Sequence, residues 1–146
     1  MEVICKSVNE TKQFARGLSK YFQEGQVIAL KGDLGSGKTT FSQGIAEGVG
    51  VEQHVGSPTF KLVSEYVGEV FKLYHVDCYR LNNADEFLNL GGENLLLPDD
   101  GITLIEWANV IQELLPEDVI EIVFSRVKGE PNKRILKIRG MNKLNE

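Results

Sequence analysis

The chain has 146 residues, a net charge of −5 and two cysteines, and 42% of its residues are hydrophobic. These values suit one globular domain, which we place at 1–140 with a frayed tail at 141–146, and they exclude a disulfide framework. They also argue against strong autonomous binding of nucleic acid, because non-specific affinity for its phosphates requires positive charge.

The beginning of the chain is typical of a short strand followed by a helix, not of a targeting signal. Residues 3–5 are an apolar run, and Ser7 and Glu10 have the spacing of a capping box, which predicts a helix that reaches about Phe22 and ends before Gly25. Neither this segment nor any later one is long and apolar enough to span a membrane. We therefore expect a cytoplasmic protein without membrane contact.

Residues 27–30 and 41–49 flank the most informative stretch of the chain. The first is a continuous apolar run, as in a parallel strand buried on both faces. The second places Phe41, Ile45 and Val49 four residues apart, which is a helical spacing. A strand, a glycine-rich loop and a helix are the setting that a phosphate-binding loop requires.

The stretch at 32–39 matches G-x-x-x-x-G-K-[ST], the phosphate-binding loop of nucleotide-binding proteins, at every defined position. Glycines let successive backbone N–H groups turn toward a phosphate chain, and the following helix presents its positive end there. In this pattern Lys38 reaches the β- and γ-phosphates, and the Thr39 hydroxyl ligates Mg²⁺. The residues predicted to bind the nucleotide here are Gly32, Gly35, Ser36, Gly37, Lys38, Thr39 and Thr40.

The next segment predicts a β-hairpin. After a loop at 57–60, residues 61–67 and 70–76 read as two strands joined by Gly68 and Glu69. A Gly-X pair of this kind predicts a two-residue loop with positive φ at the glycine. The hairpin makes the sheet mixed rather than purely parallel.

The second half of the chain continues with helix and strand patterns, and residues 95–97 fit either a turn or a helix end. The other predicted elements are a helix at 83–90 capped by Asn83, a strand at 102–105, a helix at 109–115, and strands at 119–124 and 134–138 around a turn at 129–132. Together the elements predict an α/β fold: a three-layer, P-loop NTPase-like domain with a central mixed, mostly parallel sheet and one β-hairpin.

Three polar residues occupy positions where an open α/β sheet binds its ligand, beyond the carboxyl ends of the strands. Asp77 and Glu106 each end an apolar run, and Thr59 lies in the loop after the phosphate-loop helix. Taken alone, an acidic residue after a strand is often a turn residue or the cap of the next helix, and for Asp77 this structural interpretation is as good as a functional one. Beside a phosphate loop we favour Glu106 for contact with Mg²⁺ and Asp77 for orienting water or supporting the metal. Thr59 would complete the metal site and change position when the γ-phosphate leaves.

For three further residues near these positions, the sequence gives a weaker indication of function. Trp107 follows Glu106 directly and is either a packed residue at the sheet edge or a ring that lies near the base or at a partner surface. His75 lies within a predicted strand, which favours a structural role over that of a base, because phosphoryl transfer depends mainly on positioning and charge. Arg80 is a candidate for pairing with a carboxylate or reaching a phosphate. Basic residues also crowd the C-terminal part as a possible local patch: Arg126, Lys128, Lys133, Arg134, Lys137 and Arg139.

Four blocks of the chain resemble, in their order, the motifs of the TsaE (YjeE) family: residues 32–41, 57–60, 75–81 and 105–108. The resemblance runs from about Ser7 to the strand near Ile138. It is specific because the four blocks share order and spacing, which the phosphate loop alone does not provide. Members of this family are small bacterial ATPases needed for the N6-threonylcarbamoyladenosine (t6A) modification of tRNA.

The resemblance implies a cytoplasmic, Mg²⁺-dependent ATPase that is weak alone and binds ATP and ADP. It implies action on a partner complex of a TsaD-like catalytic subunit and a TsaB-like paralogue, without strong autonomous binding of tRNA, in agreement with the negative charge. The family motifs imply roles for the matching residues of this chain. Residues 35–40 would bind the phosphates, Thr39 and Glu106 would bind Mg²⁺, and Trp107 would lie near the nucleotide. The residues implied in catalysis are Lys38, Thr59, Asp77 and Glu106.

Other classes of function also fit the phosphate loop. A small-molecule kinase would need an acceptor pocket and an arginine-bearing lid, and the best lid candidate, residues 90–100, contains neither Arg nor Lys. A nucleotide-dependent interaction module with negligible hydrolysis fits because no residue is clearly an arginine finger, a group that adds about a thousandfold or more in rate. A GTPase fits less well, because the guanine-like motif at 142–145 ends in Asn and lies in the tail.

Overall fold

The computed structural model describes residues 1–33, 35, 37–56 and 62–141. Within them, seven strands form one sheet: β1 (Glu2–Cys5), β2 (Val27–Lys31), β3 (Val63–Val67), β4 (Lys72–Asp77), β5 (Gly101–Glu106), β6 (Ile120–Val127) and β7 (Glu130–Arg139). Their order across the sheet is β1-β7-β6-β2-β5-β4-β3.

The sheet is mixed, as the sequence predicts. The neighbouring pairs β6-β2, β2-β5 and β5-β4 are parallel, whereas β1-β7, β7-β6 and β4-β3 are antiparallel. Five of the seven strands therefore run in one direction, although only three of the six pairings are parallel. The parallel group positions the site, because the carboxyl ends of its strands share one edge of the sheet.

Helices cover both faces of the sheet. The α-helices are α1 (Val8–Leu18), α2 (Lys38–Gly48) and α3 (Ala84–Asn89), and 3₁₀ helices span Ser19–Tyr21, Gly92–Leu96 and Ala108–Leu114. α1 and α2 pack together over one face, and α3 packs with the Ala108–Leu114 helix over the other, which gives the three predicted layers. Among the described helices, none combines the length and apolarity needed to cross a bilayer.

The strand before the glycine-rich loop is buried on both faces, as its continuous apolar run indicates. Ile28 and Leu30 belong to the core under α1 and α2, and Val27 and Ala29 belong to the core under α3. None of the four is more than 2% exposed. Burying a Leu or Ile side chain stabilises a fold by roughly 1.5–3 kcal/mol, so β2 is a rigid anchor for the loop that follows it.

Two helix starts are capped where the sequence predicts. The N–H of Glu10 donates to Ser7 Oγ at 3.0 Å, and the N–H of Glu86 donates to Asn83 Oδ1 at 3.0 Å. The Glu10 carboxylate accepts from the N–H of Lys6 instead of closing back on Ser7. The capping box is therefore formed on one side only.

The β3–β4 hairpin differs from the prediction in its connection. Val67 pairs with Lys72, so four residues join the strands rather than two. Gly68 is not among the glycines with positive φ. A Cβ there would lie 2.5 Å from the carbonyl oxygens of Val49 and Phe71. The glycine is thus required by a close approach of the backbone to the end of α2, which spacing along the sequence does not reveal.

The β6–β7 connection is tighter than predicted. Val127 pairs with Glu130, so the loop consists of Lys128 and Gly129, with Gly129 at φ 82°. These strands form a second β-hairpin, whereas the sequence predicts one. The predicted four-residue turn is wrong, because Pro131 lies within β7, where the register shifts against β6. Proline is tolerated at such an irregularity because the ladder there does not need its missing N–H.

Gly44 sets the distance between α1 and α2. A Cβ at this position would lie 2.4 Å from the Lys12 carbonyl oxygen and 2.7 Å from the Ala15 Cβ. We expect Gly44→Ala to lower the free energy of unfolding by about 1–3 kcal/mol, because the helices must move apart. At Gly17, the control, an added Cβ meets nothing within 4 Å, and loss of a helical glycine should stabilise by roughly 0.5–1 kcal/mol. Urea unfolding measures both variants, and equal stability of the two would contradict the close packing.

Candidate functional site

The glycine-rich loop connects the end of β2 to the first turn of α2. Its described glycines Gly32, Gly35 and Gly37 have φ values of 146°, 76° and 105°, in the region that favours glycine. Gly37 is also the N-cap of α2. The loop therefore leads directly to a helix N-terminus, where free N–H groups and the helix dipole attract anions. Ser36, also predicted to contact a phosphate, lies outside the described residues.

Lys38 is the first residue of α2 and lies folded against the loop. It is 5% exposed, and its Nζ donates to the carbonyl oxygens of Gly32 at 2.6 Å and Asp33 at 2.8 Å. The ammonium also lies 4.1 Å from the centre of the Trp107 ring, a cation–π contact. A buried cation on a flexible stem thus lies beside the anion-attracting end of a helix.

Glu106 ends β5, and three polar side chains surround its carboxylate, which is buried. Thr39 Oγ1 donates to Oε1 at 3.2 Å, Ser42 Oγ donates to Oε2 at 3.4 Å, and His75 Nε2 lies 2.5 Å from Oε2. Thr39 and Ser42 are three residues apart on α2 and share one face of the helix. The carboxylate predicted to contact the metal therefore lies against the threonine predicted to contact the same metal.

Ser42 is a site residue that the sequence patterns did not predict, although its spacing from Thr39 indicates it. A residue three positions after the loop threonine must face the same side of the helix. Ser42 Oγ also lies 2.9 Å from the carbonyl oxygen of Lys38, so its single O–H is shared between this oxygen and Glu106 Oε2. Its hydroxyl therefore links the first turn of α2 to the carboxylate of Glu106.

Asp77 and Glu106 are register partners on the parallel strands β4 and β5. The N–H of Cys78 donates to the Glu106 carbonyl oxygen at 3.0 Å, so the pairing of the two chains continues past the end of β4. Both carboxylates consequently lie at one edge of the sheet, as their positions after apolar runs predict.

Buried charges of both signs meet at this edge. Burial lowers the pKa of Lys38, and the carboxylates of Glu106, Asp33 and Asp77 oppose that shift. Burial raises the pKa of Asp77; a hydrogen bond from the N–H of Tyr79 at 2.9 Å opposes this shift, and the charge of Glu106 reinforces it. Because water is partly excluded, electrostatic contacts with a charged ligand would be stronger here than on an open surface.

The raised pKa of Asp77 predicts a stability effect that depends on pH. A carboxyl whose folded-state pKa lies above its unfolded-state value opposes folding when it ionises, and this cost disappears in acid, where both states are protonated. We expect Asp77→Asn to raise the free energy of unfolding at neutral pH but not below the ordinary titration range of aspartate. Urea unfolding at the two pH values measures this, with the exposed Asp99→Asn as control. A gain of equal size at both pH values would contradict an origin in charge.

Trp107 has a left-handed backbone conformation, with φ 58° and ψ 39°, and among the described residues other than glycine it alone has positive φ. Such a conformation costs roughly 1–3 kcal/mol for a residue with a side chain. It turns the chain sharply after Glu106 and places the indole over Lys38, with its ring 5.0 Å from that of Tyr79. The strained turn thus brings an aromatic surface to the lysine of the loop.

A pocket of about 300 Å³ joins these groups. Beyond the loop and the ends of β4 and β5, its wall includes residues that the sequence analysis did not place in the site: Val8, Thr11, Tyr79, Asn132 and Arg134. Arg134 Nη2 donates to the Gly35 carbonyl oxygen at 3.0 Å across 99 residues of sequence. In the sequence, only the cluster of basic residues near the C-terminus pointed to Arg134. Its contact with the loop results from the strand order, which brings β7 beside the loop and which no local pattern shows.

Most of the predicted site residues come together in the structure. Those that line the pocket are Gly35, Gly37, Lys38, Thr39, Thr40, Asp77, Glu106 and Trp107. Gly32 adjoins it, since its carbonyl oxygen accepts from Lys38. Arg80 is not among the lining residues. Thr59 lies outside the described residues, so its role stays a prediction.

Thr39 and Glu106 offer the oxygen donors that Mg²⁺ prefers. In nucleotide sites this ion is usually held by one or two protein oxygens together with phosphate oxygens and water. Thr39 Oγ1 and Glu106 Oε1 lie 3.2 Å apart at the pocket wall. In the part of the chain that the structure describes, no group of three or more His, Cys, Asp or Glu side chains could hold a metal. The two oxygens of Thr39 and Glu106 fit an ion that is shared with a phosphate ligand.

Comparison with protein families agrees with this geometry. The model of the family described as "Threonylcarbamoyl adenosine biosynthesis protein TsaE" matches residues 5–135, which include the loop and both carboxylates. The chain belongs to the TsaE family. The family takes part in the biosynthesis of threonylcarbamoyladenosine in tRNA, which confirms the resemblance inferred from the four sequence blocks.

Individual relatives are similar over most of the chain. The tRNA threonylcarbamoyladenosine biosynthesis protein TsaE of Bacillus subtilis (strain 168) is 41% identical over 126 residues, which are 86% of this chain and 77% of that protein. TsaE of Treponema pallidum (strain Nichols) is 33% identical over 135 residues, 92% of this chain and 98% of that protein. The crystal structure of Bacillus subtilis YdiB has a TM-score of 0.75 at 33% identity and covers 99% of this chain and 88% of that one. The α/β, P-loop fold predicted from the sequence is therefore confirmed.

Proposed function

We propose that this TsaE family member binds ATP with Mg²⁺ at the glycine-rich loop and hydrolyses it, and that it thereby supports t6A modification through a partner complex. The observation that carries the proposal is the contact of Thr39 with Glu106 beside the buried Lys38, in a pocket at a helix N-terminus. A hydroxyl, a carboxylate and an ammonium in this arrangement supply what phosphoryl transfer needs for binding metal and phosphate.

In this proposal the loop and the start of α2 hold the phosphate chain. Lys38 exchanges its hydrogen bonds to the carbonyl oxygens of Gly32 and Asp33 for bonds to β- and γ-phosphate oxygens. Thr39 and Glu106 hold Mg²⁺, which neutralises charge on the phosphates when bound. Trp107 lies over Lys38 and limits the access of water to it.

Hydrolysis requires an oriented water molecule. Its oxygen attacks the γ-phosphorus, the bond to the β–γ bridging oxygen breaks, and ADP leaves with that oxygen and its electron pair. The water oxygen becomes part of inorganic phosphate, and the proton that it loses is released to solvent. We assign the orientation of this water to Asp77, whose carboxylate lines the pocket next to Glu106. Catalysis of this kind depends on position and charge more than on a strong base.

The proposed partners are a TsaD-like and a TsaB-like protein. Support comes from the role of the family in t6A biosynthesis and from the net charge of −5, which disfavours binding of tRNA by this chain alone. Arg134 contacts the loop backbone at Gly35. A cation supplied by a partner would add stabilisation of the negative charge that develops on the phosphates in the transition state. We therefore expect slow hydrolysis without the partners.

The test is release of inorganic phosphate from ATP labelled at the γ-phosphate, with Mg²⁺, by the whole chain alone and with the partner pair. We expect slow release alone, clear stimulation by the pair, and none when Mg²⁺ is chelated. The partner pair without this chain is the control. Label on a small metabolite would instead indicate a kinase, and tight ATP binding without phosphate release under all conditions would indicate an interaction module.

A further inference from the structure

His75 lies where it can control the carboxylate of Glu106. It sits inside β4 with no exposed surface, and its Nε2 is 2.5 Å from Glu106 Oε2. Glu106 is itself 3% exposed. Burying polar groups costs free energy unless they bond to each other, so a pair at this depth depends on the contact between its members.

The second ring nitrogen indicates which tautomer is present. Nδ1 of His75 is buried, and among the described residues it has no hydrogen-bond partner. A buried N–H without an acceptor is rarer and costlier than an unshared lone pair. Nδ1 therefore suits the bare lone pair of a neutral imidazole, and Nε2 carries the hydrogen and donates it to Glu106.

This hydrogen bond determines which oxygen of Glu106 faces the pocket. Oε2 accepts from His75 and, at 3.4 Å, from Ser42, whereas Oε1 accepts from Thr39. The terminal torsion of a glutamate is broad, so an unrestrained carboxylate would rotate freely. A short bond on one oxygen keeps the other directed at the threonine.

We propose that His75 is a positioning residue: its Nε2–H donates to Glu106 Oε2 and holds Oε1 toward Thr39 for contact with Mg²⁺. The inference rests on the Mg²⁺–ATP site proposed above and adds a residue to it. Loss of a hydrogen bond that orients a metal-binding side chain typically lowers metal affinity by roughly 10–100-fold. The same range is expected for the Mg²⁺ dependence of nucleotide binding here.

His75→Met and His75→Gln form a matched pair for the test. Both side chains are unbranched and similar in length, but only glutamine carries an N–H near the position of Nε2. Calorimetric titration with a non-hydrolysable ATP analogue, in EDTA and at increasing Mg²⁺, separates nucleotide binding from the metal effect. In EDTA we expect both variants to bind as the unmodified chain does. The Mg²⁺ concentration for half-maximal enhancement should rise roughly 10–100-fold in His75→Met, and most of this loss should be recovered in His75→Gln.

A second measurement does not depend on nucleotide. The chain has two histidines, so a His54→Gln variant labelled with ¹⁵N-histidine reports on His75 alone. In the metal-free protein we expect the hydrogen on Nε2, and an Nε2 without hydrogen, with the hydrogen on Nδ1 instead, would overturn the proposal. This spectrum also decides the matter if His75→Met does not fold.

The titrations distinguish failure of this inference from failure of the proposed function. If the unmodified chain binds the analogue more tightly with Mg²⁺ and His75→Met responds to Mg²⁺ identically, His75 is not a positioning residue and the nucleotide site stands. If the unmodified chain binds no nucleotide, both proposals fail together.

Discussion

Lys38→Ala is expected to weaken ATP binding at least a hundredfold and to abolish detectable hydrolysis. In the proposed site, Lys38 donates two charge-assisted hydrogen bonds to phosphate oxygens, each worth about 1.5–3 kcal/mol, and the sum corresponds to about two decades or more in affinity. The side chain is already buried beside the helix N-terminus, so a water molecule in its place would not restore the charge that the ammonium supplies to the phosphates. Calorimetry with a non-hydrolysable ATP analogue and phosphate-release assays measure the two effects.

Lys12→Ala is the control for this loss. Lys12 is a half-exposed lysine on α1 whose Nζ lies 3.0 Å from Glu47 Oε1, and it does not line the pocket. Surface ion pairs of this kind contribute about 0–1 kcal/mol to stability, so binding and turnover should be unchanged. Normal ATP binding by Lys38→Ala would refute the assignment of the loop as a phosphate site.

Glu106→Gln is expected to lower the rate of ATP hydrolysis by about 10²–10³-fold, while the affinity for ATP changes much less. The amide keeps the size of the side chain, but only its oxygen can accept, from the side of Thr39 or from the side of His75, and the charge that faces the metal is removed. A group whose stabilisation develops mainly in the transition state affects turnover more than binding. Turnover at saturating ATP, together with titration of an ATP analogue, separates the two.

The matched control for Glu106→Gln is Glu121→Gln on the parallel strand β6, which β2 separates from β5. Glu121 is also largely buried, but its carboxylate accepts from Lys31 at 3.0 Å, away from the pocket. This variant should lose some stability and keep its turnover. A Glu106→Gln protein with unchanged turnover would refute the essential role of Glu106 and leave Asp77 as the candidate carboxylate.

Together, the two substitutions divide the proposed activity into binding and chemistry. Lys38 is expected to act on the nucleotide before and during the reaction, whereas Glu106 is expected to act through Mg²⁺ as charge develops. An interaction module with negligible hydrolysis would respond only to Lys38→Ala. A kinase would respond to both, but its product would carry the label on a metabolite.

The sequence predicted the elements whose signals are local. The apolar run of β2, the glycine pattern of the loop and the caps at Ser7 and Asn83 each depend on neighbouring residues alone, and each is found in the structure. Asp77 and Glu106 were predictable for a related reason, because a polar residue that ends a parallel apolar strand must lie at the ligand edge of the sheet.

The loop connections show where local reading failed. Gly68 and Glu69 resemble a two-residue hairpin loop. In the structure, however, Gly68 allows the close approach of the backbone at Val49 and Phe71. Pro131 reads as a turn residue, yet it lies at an irregularity within β7. In both cases a contact or a register shift between distant segments decided the backbone, and glycine and proline are compatible with either outcome.

Local sequence patterns were enough to predict the glycine-rich loop, its strand and helix, and the two carboxylates beside it, because hydrophobic period and glycine spacing are properties of adjacent residues. The tertiary structure alone decided which distant side chains complete the site. His75 reaches Glu106 because β4 and β5 pair in parallel register, and Arg134 reaches Gly35 because the strand order places the β6–β7 hairpin next to β2. Strand order and register depend on the packing of the whole core, and no short pattern encodes them.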